Sequence, residues 1–247
     1  MDLELIKPDW PAPENVHAFT TTRNGGRSRG NWYSLNLGLR CGDDNAAVQG
    51  NCEMLERLLP ASPQWLRQVH GTKVVTHPVF VNGEVEGDAL LARRESQVCA
   101  VLTADCLPVF FCNDLGNCVA VAHAGWRGLA AGVLQATIAA MDEAPENIMA
   151  WLGPAIGPAA YEVGVEVRRA FGDETSTCFE QHGKRWLFDL YGAARFKLGQ
   201  AGVERVFGGS FCTFSDHERL FSYRRDGETG RMASVIWIGS RCTVDKN

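Results

Sequence analysis

The chain has 247 residues, with 24 Lys or Arg against 29 Asp or Glu and a formal charge of −5. At 45% hydrophobic and 21% charged residues it can bury a substantial core, which excludes a disordered chain. The acidic balance argues against holding nucleic acid by bulk phosphate neutralisation, and no apolar run approaches the roughly 20 residues of a membrane-spanning helix.

The N-terminus, Met1-Asp2-Leu3-Glu4-Leu5-Ile6-Lys7-Pro8, lacks the basic start and apolar segment of a signal peptide, so a cytoplasmic protein is expected. Residues 23–30, rich in Gly and Arg, read as a loop. Asp43-Asp44 then caps a predicted helix, with Val48, Cys52, Leu55 and Leu59 at helical spacing and Pro60 as its stop. Three apolar runs follow, at residues 98–103, 109–112 and 117–122, and each reads as a buried strand. The third enters His123-Ala124-Gly125-Trp126-Arg127-Gly128 and is followed by a predicted helix over residues 129–142. A further strand is expected at residues 148–152, helices at 163–171 and, capped by Asp189, at 190–201, and a last strand at 231–238. Hairpin-like and crossover connections together indicate an α+β class. No composition shift marks a boundary, so residues 1–247 are read as a single catalytic domain.

Nine cysteines at irregular positions, with no CxxC pair, make a poor disulfide framework and suit buried apolar roles. Three segments nevertheless place reactive side chains at the ends of predicted core strands. They contain His70, Asp105-Cys106 and His123. Two imidazoles and a thiolate suit zinc with a fourth position left for water. The same residues also fit a Cys106 nucleophile activated by His70 or His123 with Asp105 as orienter, or simply a buried thiol and two hydrogen-bonded histidines. The glycines and Arg127 at the strand-to-helix junction suit either an anion site or a tight packed turn. Arg23 and the Arg224-Arg225 pair are candidates to converge on the same anion.

Ordered along the chain stand Thr22-Arg23-Asn24-Gly25-Gly26, Ser34-Leu35-Asn36-Leu37-Gly38, Gln68-Val69-His70-Gly71 and Thr103-Ala104-Asp105-Cys106. The His123–Gly128 segment, Gly153-Pro154-Ala155-Ile156-Gly157 and Phe221-Ser222-Tyr223-Arg224-Arg225 complete the series. By these motifs the chain resembles the bacterial family variously called polyphenol oxidase (laccase), purine nucleoside phosphorylase and peptidoglycan editing factor, from about Phe19 to Ile238. The resemblance implies a single-domain α/β/β/α layered sandwich, shared at a distance with the catalytic domain of cytotoxic necrotizing toxins. It also implies one zinc ion held by His70, Cys106 and His123. Residues 239–247 form a short tail that departs from the family pattern, a departure that puts nothing catalytic in doubt.

A multicopper oxidase needs a trinuclear cluster built largely of histidines beyond its blue-copper ligands. After His70 and His123 only His17, His77, His182 and His217 remain, so copper is not expected as the native metal. The resemblance favours a zinc-dependent enzyme acting on purine nucleosides: phosphorolysis of adenosine, inosine, guanosine or methylthioadenosine, and deamination of adenosine. In that reading Cys106, His70, His123 and Asp105 form the catalytic set, with His70 or Asp105 as proton donor. Arg23, Asn36, Gln68, Arg127 and Arg224 bind substrate or phosphate. Alternatives are a zinc amidase that edits a nucleotide-linked cell-wall precursor and a non-enzymatic zinc protein with Asp105, Cys112 or Cys118 as fourth ligand. The expected partner is a small-molecule substrate, with neither nucleic acid nor membrane.

Overall fold

The computed structural model describes residues 3–77 and 85–240. The chain opens with β1 (Leu5–Ile6), β2 (Val16–Thr21) and α1 (Asn45–Glu56), then β3 (Leu66–Arg67), β4 (Val74–Thr76) and β5 (Val85–Glu86). The central run is β6 (Ala89–Ala92), β7 (Cys99–Thr103), β8 (Leu107–Asn113), β9 (Val119–Ala124), α2 (Trp126–Ala131), α3 (Val133–Met141) and β10 (Ile148–Leu152). Next come β11 (Glu162–Val163), α4 (Val165–Phe171), β12 (Phe179–His182), β13 (Arg185–Phe188) and α5 (Leu190–Gln200). The chain closes with β14 (Arg205–Gly208), α6 (Tyr223–Asp226) and β15 (Met232–Ile238).

A six-stranded sheet, β14-β10-β8-β9-β6-β4, packs on a four-stranded sheet, β1-β2-β15-β7. Strand alternation explains why both faces of the larger sheet are apolar. Phe110, Cys112, Val119, Val121, Met149 and Trp151 point into the seam between the sheets, where Cys99, Val101, Met232 and Ile236 meet them. The intervening Val109, Phe111, Ala120, Ala122 and Ala150 point the other way and meet α2, α3, α4 and α5. On the outer face of the smaller sheet, Phe19, Ala100 and Val235 pack with Leu55 of α1. The order is helix, sheet, sheet, helix: an α+β layered fold.

The predicted helix after Asp44 forms, with the Asp44 carboxylate accepting the Ala47 N–H at 2.8 Å as its N-cap. Asp189 caps α5 in the same way through Gly192 at 2.9 Å. The single helix expected over residues 129–142 is instead two. It starts earlier, at Trp126, and breaks at Gly132, whose φ of +101° is the left-handed conformation glycine adopts freely. Strand β8 starts at Leu107 rather than at residue 109, and β9 runs on through His123. Among the described residues eight cysteines are free, Cys242 and the tail beyond residue 240 lie outside them, and no described helix is long and apolar enough to cross a membrane.

Phe111, fully buried on the central strand β8, reports on this packing. Phe111→Ala is expected to lower unfolding stability by about 3–5 kcal/mol, read as a fall in the urea midpoint with an unchanged slope.

Candidate metal centre

Three segments far apart in sequence meet at one place. His70 lies between β3 and β4, Cys106 between β7 and β8, and His123 near the end of β9. Their ligand atoms all lie within 4.8 Å of one another. Cys106 Sγ is 3.8 Å from His70 Nε2, and the two imidazole rings stand edge to face with centroids 4.8 Å apart. His123 is buried, Cys106 half-buried and His70 exposed, so the group opens to solvent on the His70 side.

One carboxylate organises this geometry. Asp88, fully buried just before β6, accepts the His70 N–H at 2.9 Å on Oδ1, and the Val69 and Gly71 N–H groups at 3.2 and 2.7 Å on Oδ2. Oδ1 also accepts the Nδ1–H of His123 at 2.8 Å. With Nδ1 committed to Asp88, Nε2 is the nitrogen His123 can offer to a metal. The Asp88 carbonyl takes the His123 N–H at 2.7 Å, fixing its backbone as well. Burial acts to raise the pKa of Asp88, but the bond from His123 and the N–H groups of Gly71 and Val69 outweigh it and hold the group below its usual range. His70, with φ of +60°, is left-handed, a conformation costing about 1–3 kcal/mol that persists where surrounding contacts over-determine it.

Cys106 and His123 form a coupled pair. Burial alone would raise the thiol, but His123 and His70 beside it bring its pKa down to about 6. For His123, burial pushes down, and the Cys106 thiolate and Asp88 push harder the other way, to about 9. In the metal-free protein the pair is therefore thiolate and imidazolium at neutral pH, and a cation binding there displaces the proton from His123.

The glycines of the His123–Gly128 segment allow close approach. A Cβ on Gly125 would stand 2.8 Å from His70 Cδ2 and 3.0 Å from Cys106 Sγ, inside the space a ligand set needs. One on Gly128 would meet the Gly71 carbonyl at 2.9 Å. The junction thus packs against the His70 loop, and α2 starts directly after it at Trp126.

The other predicted site residues divide. Asp105, left-handed at φ +89°, accepts the Thr213 hydroxyl at 2.5 Å and the Arg224 N–H at 2.6 Å. The Arg224 guanidinium donates to the Glu162 carbonyl at 2.7 Å and lies 5.2 Å over the Tyr161 ring. Arg127 is exposed and stacks on Trp126 at 4.2 Å. The remaining three engage their polar atoms within the fold. Arg23 donates to the carbonyls of Tyr33 and His217 and covers Phe221. Asn36, fully buried, spends its amide on Asp43, Gly38 and Arg231. Gln68 exchanges two 2.8 Å bonds with the Leu102 backbone, which anchors the loop carrying His70. Cys112 and Cys118, candidate fourth ligands, are packed in the seam and the helical layer.

Sequence reasoning passed over Asp88 and Tyr161. The signal for Asp88 was an acidic residue directly before the apolar run Ala89-Leu90-Leu91-Ala92. Burial and the Cys106 thiolate raise the pKa of Tyr161, against the pull of Arg224 and Arg127, so its hydroxyl stays protonated beside the site. A cleft of about 670 Å³ adjoins through Glu162, next to Tyr161, with walls that include Pro158, Phe211, Cys212 and Phe214. None of the three triad residues lines it.

Residues 17–239 match the sequence model of the family described as multi-copper polyphenol oxidoreductase laccase. The chain is 51% identical over 240 residues to the purine nucleoside phosphorylase YfiH of Escherichia coli (strain K12), covering 95% of this chain and 99% of that protein. It is 48% identical over 239 residues to purine nucleoside phosphorylase PA4543 of Pseudomonas aeruginosa, covering 94% and 98%. The crystal structure of Neisseria meningitidis protein NMB0706 superposes with a TM-score of 0.92 at 49% identity, covering 96% of this chain and 99% of that one.

Two measurements check this centre. In metal-free protein, alkylation of Cys106, followed by peptide mass mapping, should rise with pH through a midpoint near 6. His123→Gln should move that midpoint toward the ordinary thiol value of 9.0; an unchanged midpoint would uncouple the pair. Asp88→Asn replaces an acceptor oxygen by a donor facing N–H groups, and zinc affinity should fall by about 10- to 100-fold in chelator competition.

Proposed function

The chain belongs to the family described as multi-copper polyphenol oxidoreductase laccase, and from that premise we propose that it is a purine nucleoside phosphorylase carrying one zinc ion. The observation that carries this reading is the three-donor group of His70, Cys106 and His123, open on one side and braced by a buried Asp88. Two imidazoles and a thiolate with a vacant position match a catalytic zinc site. The remaining histidines support one metal rather than a copper cluster. His17 stacks on Trp237, His182 pairs with Glu162 and His217 contacts Ser215, while His77 is part-buried. Among the described residues only one group of His, Cys, Asp and Glu side chains converges.

Phosphorolysis needs a phosphate oxygen aimed at the anomeric carbon and hydrogen bonding to the departing base. The C1′–N9 bond breaks with its electron pair passing to the purine, which leaves protonated, and ribose 1-phosphate forms. Zinc bound in this pocket supplies Lewis-acid polarisation and water activation. Arg127 and Arg224 hold the phosphate, since the charges of both act on Tyr161, as the Cys106 thiolate does. Arg23 is left out, because its Nε and Nη1 are given to two carbonyls, those of Tyr33 and His217, whereas Arg224 gives Nη1 to one, that of Glu162. Tyr161, protonated at neutral pH, donates from Oη to the departing purine and takes the role first given to His70 or Asp105. The aromatic and proline wall of the adjoining cleft suits a flat heterocycle. The open position also supports hydrolytic deamination of adenosine as a second activity of the same pocket.

Base release from inosine, followed with and without phosphate, tests the reading. Zinc-loaded protein should release hypoxanthine only with phosphate, and Cys106→Ala and His123→Ala should each lose about 100-fold or more. Arg224→Ala should raise the phosphate KM by about tenfold or more, as loss of a charge-assisted bond. Phosphate-independent release would contradict phosphorolysis, and turnover of a UDP-muramyl-serine substrate in its place would favour the editing amidase.

A further inference from the structure

Asp105 joins two parts of the site. Oδ1 accepts the Thr213 hydroxyl at 2.5 Å and Oδ2 accepts the Arg224 N–H at 2.6 Å. Both carboxylate oxygens are thereby engaged as acceptors, one from each neighbouring segment. Its carbonyl takes the Ile156 N–H at 3.0 Å, so the backbone on either side of the left-handed φ is held. Cys106 follows directly. Thr213 is fully buried, and its own N–H is fixed on the Ala155 carbonyl at 3.0 Å, which leaves its hydroxyl one direction. On the far side of the carboxylate, Arg224 is the second residue of the short helix α6, and its guanidinium reaches the Glu162 carbonyl and lies over the Tyr161 ring.

We propose that Thr213 and Asp105 are positioning residues that lock the Cys106 loop to the Arg224 turn, so that the metal ligand and the phosphate-binding arginine keep one fixed separation. Neither residue touches the reacting atoms. Thr213 acts on Asp105, and Asp105 acts on its two neighbours, Cys106 through the chain and Arg224 through its N–H. Without the hydroxyl, Oδ1 faces a methyl group, the carboxylate turns toward solvent or toward the remaining donor, and the left-handed backbone loses a restraint. Cys106 and Arg224 then drift relative to each other. Misplacement on the scale of about 1 Å is enough to cost a reaction that depends on near-attack geometry about 100-fold. The role assigned to Arg224 rests on the phosphorylase reading; the lock on Cys106 does not.

The experiment compares Thr213→Val, which removes the donor and keeps the shape, with Thr213→Ser, which restores the donor, and Asp105→Asn, which tolerates the left-handed backbone but loses one acceptor. Two readouts are taken on each full-length protein: zinc affinity by chelator competition, and phosphate KM and kcat with inosine saturating. Thr213→Val and Asp105→Asn should weaken zinc by about tenfold, as loss of a supporting hydrogen bond does. Both should raise the phosphate KM by about tenfold and lower kcat, while the inosine KM stays within about twofold. Thr213→Ser should restore both readouts. The proposal is overturned if Thr213→Val keeps zinc affinity and phosphate KM within about twofold of wild type, or if Thr213→Ser is as impaired as Thr213→Val, which would make the residue a packing element. Should Thr213→Val fail to fold, Asp105→Asn against wild type decides. If the wild-type protein releases no base at all, the phosphorylase reading fails by itself, and zinc competition alone judges the lock.

Discussion

The site depends on the buried carboxylate of Asp88. A charged group without solvent is tolerated only when its oxygens are satisfied, and Asp88 meets that demand with three successive N–H groups of the His70 loop and the ring N–H of His123. That requirement dictates the geometry. The loop can approach the carboxylate only with His70 in the left-handed region, which brings its Nε2 to the Cys106 side. The imidazole of His123 is oriented with Nε2 outward. Two of the three candidate ligands, far apart in sequence, are thereby fixed on one anion. The same negative charge helps keep His123 protonated while the pocket is empty of cation, which stabilises the Cys106 thiolate in turn.

The layered fold makes this arrangement available. Strands β6 and β9 are hydrogen-bonded neighbours, with Ala89 opposite Ala122, so Asp88 and His123 are adjacent by register. Cys106 lies where the chain leaves β7 in one sheet and enters β8 in the other. A connection between sheets must cross the end of the sandwich, and there its thiol meets His70 and His123. Gly125 keeps that space open, and Asp105 ties the crossing to the Arg224 turn. Phe110, Trp151 and Met232 pack together in the seam between the two sheets.

Much of this was legible in the sequence. Apolar runs gave the central strands, Asp44 and Asp189 marked true helix starts, and the ordered motifs selected His70, Cys106 and His123, which the fold brings together. The break at Gly132 was not read, because both halves of residues 129–142 keep a helical pattern and only backbone conformation separates them. Asp88 was hidden because a buried acid supplies no periodicity, and its importance lies in partners 17 to 35 positions away. Tyr161 and Thr213 escaped for the same reason. Conversely Asn36, Gln68 and Arg23 stand inside the same ordered series of motifs, yet Arg23 and Gln68 donate to backbone carbonyls and Asn36 bonds Asp43 and two backbone N–H groups. A motif marks residues that matter to the fold or to the site, and only long-range hydrogen bonding tells the two apart.

The central claim is one open metal centre made by two imidazoles and one thiolate. X-ray absorption at the metal edge of the purified protein tests it most directly. The account predicts stoichiometric zinc with one sulfur at about 2.3 Å and two nitrogens and one further light atom at about 2.0 Å. A shell of several sulfurs, a shell without sulfur, or copper in place of zinc would contradict it.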